Sequence, residues 1–220
     1  QVYIGNTQSE INIFEQQGFN TWLKTYKLGN ASFYPSNLDY STINTDWQDE
    51  VFVKNAIIQN YHVSVDGGTE KAQYSVSAGY FGQEGTIMAS FYNRVTLRAV
   101  GSYQITKWLK IGTNINYIAS KQRGTTNNSE YSGVLSSAIR MAPWDPVYYP
   151  EGSVNSNGED LGGRPAASSN YRNLYNPIGM AIYSHPRNRE NRWIGNIYLE
   201  LEPIEGLTFR SQVSANLLTT

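Results

Sequence analysis

Six stretches of this sequence alternate apolar and polar residues with a period of two, the spacing that sends successive side chains to opposite faces of a β-strand. Tyr61, Val63 and Val65 oppose His62, Ser64 and Asp66. Tyr74, Val76, Ala78 and Tyr80 oppose Gln73, Ser75, Ser77 and Gly79. Val95, Leu97, Ala99, Tyr103 and Ile105 oppose Arg94, Thr96, Arg98 and Ser102. Leu109, Ile111, Ile115 and Tyr117 oppose Lys110, Gly112, Asn114 and Asn116. Trp193, Ile197, Leu199 and Leu201 oppose Arg192, Asn196, Glu200 and Glu202. Leu207, Phe209, Val213, Ala215 and Leu217 oppose Thr208, Arg210, Gln212, Ser214 and Asn216. No run approaches the ~18–20 apolar residues of a spanning helix, so helical spanning is excluded. Alternating strands average to a polar hydropathy and can still form the wall of a membrane barrel.

The connections sharpen this reading. Gly67 to Lys71, Thr106-Lys107 and Pro203 to Gly206 read as tight turns, with Gly67, Gly68 and Gly206 available for positive φ. The connections between them, Gln83 to about Phe91 and Lys121 to about Arg189, are longer. In an up-and-down meander all short turns then fall at one end of the sheet and all long loops at the other, the asymmetry of outer-membrane barrels. A soluble sandwich also alternates. Two features favour the barrel: strands longer than the usual ~5–6 residues, and Tyr61, Tyr80, Tyr103, Tyr117, Trp193 and Phe209 near the ends of the apolar faces, as in interfacial girdles. The expected class is all-β, an antiparallel up-and-down transmembrane barrel wall.

Within the loops, Tyr131 to Met141 reads as a short helix stopped by Pro143 and Pro146, and residues 151–173 as Gly/Ser/Asn-rich surface loop. Glu10 to Lys27 has weak helical patterning and Gly29 to Asn44 reads as loop. Gln1 is not an initiator and Thr220 follows a strand-like run, ends that suit a piece of something larger.

Composition removes much chemistry. With no cysteine and two distant histidines, His62 and His185, thiolate sites and most zinc and Ser-His arrangements lack their residues, and no metal or cofactor is expected. Lys+Arg 17 against Asp+Glu 18 gives a net charge of -1, which offers no polycation for nucleic acid. Asp46, Asp49 and Glu50 beside Trp47 are the carboxylates a glycosidase would need, but their position before a strand suits capping of backbone amides better. Asn155 to Asp160 lacks the spaced ligands of a calcium loop. Glu200, Glu202 and Arg210 fall on the polar face, where an ion pair is expected. The basic run His185 to Arg192 reads either as a solvated strand end or as a strip for lipopolysaccharide phosphates. In the long loop, Trp144, Tyr148, Tyr149, Tyr171 and Tyr175 are the candidate substrate contacts, since aromatics stack on sugars and pack on peptides; packing of loop against loop is the plainer role.

Several motifs together resemble one family. Asn44-Thr45-Asp46-Trp47-Gln48-Asp49-Glu50-Val51-Phe52 resembles the "NTDWQDEVF" motif of SusC/RagA-family TonB-dependent outer-membrane transporters of Bacteroidetes. Gln59-Asn60, Val63 to Lys71 and Gly79 to Gly85 are similar to that family's hairpin and strand-end patterns. Tyr92 to Arg98, Lys107 to Gly112, Asn176-Pro177 and Gly206 to Arg210 follow in the family's order. The resemblance covers roughly residues 44–215 and implies a barrel of about 22 strands closed by a plug, of which this chain supplies about six strands. It implies loops at 6–56 and 121–189 on the extracellular side, with Gln1 to Gly5 ending a preceding strand. The plug, the TonB-contacting segment and the other strands have no counterpart here. The implied role is barrel wall and loops in the import of oligosaccharides or peptides, with a SusD-like lipoprotein, the TonB system and outer-membrane lipid as partners, and no enzyme activity. A secreted soluble β-sandwich that binds glycans is the alternative.

Overall fold

The structure is a computed structural model that describes residues 37–124, 133–169, 174–183 and 187–220. The chain divides into two compact units, one of Ala56–Gly85, Phe91–Arg123 and Arg187–Thr220, the other of Gln1–Asn55, Thr86–Ser90 and Gly124–Pro186.

The first unit is one six-stranded antiparallel sheet in sequence order: β1 (Ile58–Gly68), β2 (Ala72–Glu84), β3 (Phe91–Thr106), β4 (Leu109–Arg123), β5 (Arg187–Ile204) and β6 (Leu207–Thr219). All six expected strands are present, and each runs past its apolar–polar alternation at one or both ends. Among the described residues the sheet is open, with β1 and β6 at its edges. Directly paired residues share a face, so the register turns the alternation into rows. One row runs Val63, Ala78, Leu97, Tyr117, Trp193, Leu217. The next runs Val65, Val76, Ala99, Ile115, Gly195, Ala215. On β4 the apolar rows extend from Leu109 to Ala119, ten residue steps or roughly 33 Å of strand. At a tilt of about 40° that is roughly 25 Å of vertical height, the height of a barrel's lipid-facing band.

Among the described residues this face is largely exposed. Val63 is 68% exposed, Val213 75% and Phe209 67%, values opposite to those of a sandwich core. Left in water, each such side chain forfeits on the order of 1.5–3 kcal/mol of burial free energy. The face therefore demands an apolar medium.

Short turns join the strands at one end: Thr69 to Lys71, Lys107-Trp108 and Glu205-Gly206. Only Gly206 of the three predicted turn glycines has positive φ, 84°. Gly67 and Gly68 instead pair within β1, opposite Tyr74 and Gln73. They are needed for space, since a Cβ on Gly67 would strike the Tyr74 ring and one on Gly68 would come within 2.6 Å of the Ala72 carbonyl oxygen.

The described residues of the second unit form helices and loops around an apolar core of their own. Its α1 (Trp47–Val51), α2 (Val134–Arg140) and α3 (Pro177–Tyr183) bury Trp47, Val51, Val134, Ala138, Ile178 and Ala181 together. The α2 helix confirms the expected short helix, three residues later at its start. The segments expected as Gln1 to Gly5 strand and Glu10 to Lys27 helix lie outside the described residues. No helix among the described residues is long and apolar enough to cross a membrane.

Candidate functional site

The motif that most resembles an acidic active site is structural in its local geometry. Asp46 is the N-cap of α1, its Oδ1 accepting from the Gln48 and Asp49 amides at 3.1 Å each. Asp49 pairs with Lys54 at 2.7 Å, and that hydrogen bond raises the lysine's pKa. The Trp47 indole donates to the Ala142 carbonyl at 2.9 Å, and Thr45 donates through its hydroxyl to the Asp145 carbonyl at 2.7 Å. The motif thus ties α1 to the segment after α2.

Asn176 supplies the matching tie on the other side. Its Oδ1 accepts from Ile178 and Gly179 at 2.9 and 3.2 Å, capping α3, with Pro177 in the first helical position. Its Nδ2 donates to the Val147 and Ala166 carbonyls at 2.8 and 3.1 Å. Asn155 closes the calcium-like run on itself, accepting from the Asn157 and Glu159 amides at 2.9 Å each. Among the described residues no group of carboxylates and histidines could hold a metal.

Asp145 was not singled out by the sequence. It is fully buried, and both carboxylate oxygens accept from the Ser169 amide, at 3.2 and 3.0 Å. Burial outweighs these bonds and the Ser168 hydroxyl, and pushes its pKa up to about 7. Burial of this kind depends on tertiary packing, which a Trp-Asp-Pro tripeptide does not announce.

The loop aromatics separate into two sets. Trp144 is buried and donates its indole N–H to the Ser169 hydroxyl at 2.6 Å. Tyr149 is buried, its hydroxyl accepting from the Ala167 amide at 3.0 Å. Tyr148 and Tyr175 are exposed. Tyr171 lies outside the described residues. Among the described aromatics of this loop, Tyr148 and Tyr175 are thus the exposed pair, while Trp144 and Tyr149 are tied into the loop's interior.

The polar face of the sheet presents Ser64, Ser77, Arg98, Asn116 and Asn216 in one row and Asp66, Ser75, Asn114, Asn196 and Ser214 in the next. Ile194 and Val100 interrupt the two rows. Arg192 donates to Asn216 across β5 and β6 at 3.0 Å. Glu200 does stand directly opposite Arg210, as expected, yet no ion pair closes; the guanidinium lies over the Tyr198 ring, 4.0 Å from its centroid. Tyr198 in turn holds its ring where a Cβ on Gly112 would lie. This face is wettable and carries charge without a converging set of reactive groups.

The outward face is bordered by aromatic pairs. Tyr61 and Tyr80 stack at 6.3 Å and Tyr117 and Trp193 meet at 4.4 Å toward the long-loop end. Tyr74, Tyr103 and Phe209 stand toward the other end.

Comparison with known proteins agrees with this geometry. No family model matches the sequence. The chain is 28% identical over 216 residues to TonB-dependent receptor P3 of Formosa agariphila, covering 95% of this chain and 19% of that protein. It is 26% identical over 170 residues to TonB-dependent receptor SusC of Bacteroides thetaiotaomicron, covering 72% of this chain and 16% of SusC. It thus spans about a fifth of the length of these relatives. In fold it is similar to the RagAB peptide importer in its open-open state, with a TM-score of 0.60 at 20% identity over 99% of this chain and 24% of that one. A second RagAB structure superposes with a TM-score of 0.58 at 23% identity, over 81% of this chain and 19% of that one. Alignment along nearly the whole chain, on a single-layer sheet with one oily and one wettable face, makes the chain similar to a segment of TonB-dependent receptors of the SusC kind, and similar in fold to part of the RagAB importer.

Proposed function

We propose that this chain forms wall and extracellular loops of a TonB-dependent importer that brings oligosaccharides or peptides across the outer membrane under a SusD-like lipoprotein lid. One observation carries the reading: the sheet is a single layer whose apolar face is open to its surroundings while the reverse face is lined with Ser, Asn and Arg. Such a wall faces hydrocarbon on one side and an aqueous path on the other. The connections at 124–186 and before β1 would then be extracellular, with Tyr148 and Tyr175 offered to nutrient or lipoprotein. Among the described residues no set of groups converges for making or breaking bonds; passage would depend on the plug and the TonB system. The soluble sandwich would need a covered core on this sheet, and among the described residues Val63, Phe209 and Val213 are exposed.

The test is made on the full-length protein in its own cells. Deletion of its gene should abolish growth on one class of oligosaccharide or peptide, and the tagged protein should co-purify from outer membranes with a surface lipoprotein. Recovery of the protein in the soluble secreted fraction, or unchanged growth on every such nutrient, would defeat the reading.

A further inference from the structure

Above the aromatic pairs at the long-loop end, the outward face turns basic. Lys121 on β4 and Arg189 on β5 are directly opposite each other and share the face of Ala119, Tyr117 and Trp193. Both are exposed. Like charges placed directly opposite across a ladder repel, and here no carboxylate separates them. Asn191 and Asn93 flank them on the same face. The acid on that face at this end, Glu84, stands on β2 and accepts from the Ile57 amide at 3.3 Å. Lys121 leans its ammonium over the Phe91 ring, 5.6 Å from the centroid, rather than toward an anion of the protein. A depression of about 370 Å³ opens between Lys121, Arg189, Asn93 and Asn191. One step further into the band lies a second, almost wholly apolar depression of about 410 Å³, floored by Ala78 and Ala99 between Val63 and the Tyr117–Trp193 pair.

We propose that this strip binds an outer-leaflet glycolipid, with a sugar phosphate held between Lys121 and Arg189 and an acyl chain lying along the Ala78–Ala99 depression. The inference rests on the proposed membrane orientation, because only an extracellular long-loop end meets the outer leaflet. Charge complementarity selects a phosphate, which the paired cations can grip from both sides. The alkyl-sized depression directly beneath selects a lipid rather than a free anion. Of the cations near this level, Arg192 and Arg94 belong to the polar side, Arg192 donating to Asn216 and Arg94 lying over the Phe81 ring at 5.6 Å, while Arg123 and Arg187 stand opposite each other two residues further out in register with Lys121 and Arg189.

The experiment uses the full-length receptor purified from outer membranes and placed in nanodiscs, with bound lipid quantified by mass spectrometry. Probes are lipopolysaccharide, enzymatically dephosphorylated lipopolysaccharide and phosphatidylglycerol. Retention of lipopolysaccharide should fall roughly fivefold or more in the pair Lys121→Gln/Arg189→Gln, and stay near wild type in the charge-keeping pair Lys121→Arg/Arg189→Lys. It should also stay near wild type in Lys107→Gln at the opposite end. The proposal is overturned if the neutralised pair retains as much as wild type, if dephosphorylated lipid is held as well, or if phosphatidylglycerol is held equally. A receptor that fails to reach the outer membrane at all would count against the transporter reading; one that assembles yet shows no lipid preference would count against the strip alone.

Discussion

Tyr198 holds its ring where a Cβ on Gly112, its directly paired neighbour on the polar face, would lie, and the Arg210 guanidinium lies over the same ring, 4.0 Å from its centroid. Gly112 is there because any side chain would occupy the ring's place. Replacing Gly112 with Val should force Tyr198 and Arg210 off the wall and cost about 1–3 kcal/mol. Heat-dependent gel mobility of the folded full-length barrel would read this as a lower unfolding temperature. Tyr198→Ala should instead leave the barrel folded and only free Arg210.

Charge on the outward face should block assembly. Val63→Arg and Leu97→Arg each place a cation in the middle of the apolar rows and should cost about 2–4 kcal/mol. Ser64→Arg, one residue from Val63, and Ser77→Arg, directly opposite Ser64, both on the polar face, should each assemble normally. Quantifying each protein in isolated outer membranes checks both halves of the expectation.

The buried Asp145 makes the loop unit sensitive to pH. Its folded pKa is raised from 3.8 to about 7, so the folded state holds the proton more tightly than the unfolded state. Its favourable contribution is full below about pH 4 and is lost as pH rises through 7, an effect on the order of a few kcal/mol. Amide hydrogen exchange across residues 133–169 of the full-length protein should be faster at pH 8 than at pH 5 after correction for intrinsic rates. In Asp145→Asn, which keeps an acceptor for the Ser169 amide, that difference should disappear.

Loss of Asn176 should loosen the same unit. Asn176→Ala removes the cap of α3 and leaves the Val147 and Ala166 carbonyls without their donor, a cost of about 2–4 kcal/mol. Limited proteolysis should then cut within 147–169, while the barrel resists heat as before.

The sequence made the sheet legible because each strand repeats the same alternation against two different media. Its ends were not legible. Gln59, Lys121 and Arg189 continue the outward face in polar residues, so β4 and β5 run on to Arg123 and from Arg187 where the alternation had suggested 121 and 189. Gly67 and Gly68 misled as turn residues because a glycine needed for ring clearance looks the same as one needed for positive φ. In the loops, Asn176-Pro177 could have been read as a helix start from the cap and the proline alone. Asp145 could not, since nothing local distinguishes a buried aspartate from an exposed one. The aromatic set was recognisable as a set, but which members face outward depended on partners such as Ser169 and Ala167, supplied some 18 to 25 residues away.

The central claim is that alternate residues of one ribbon meet oil and water. Nitroxide spin labels placed singly at 63, 64, 97, 98, 196 and 197 of the full-length protein in membranes test it most directly, by relaxation with oxygen and with a water-soluble nickel chelate. Labels at Val63, Leu97 and Ile197 should respond to oxygen and those at Ser64, Arg98 and Asn196 to nickel. Labels at the apolar positions that respond to neither reagent, as in a packed interior, would contradict the account.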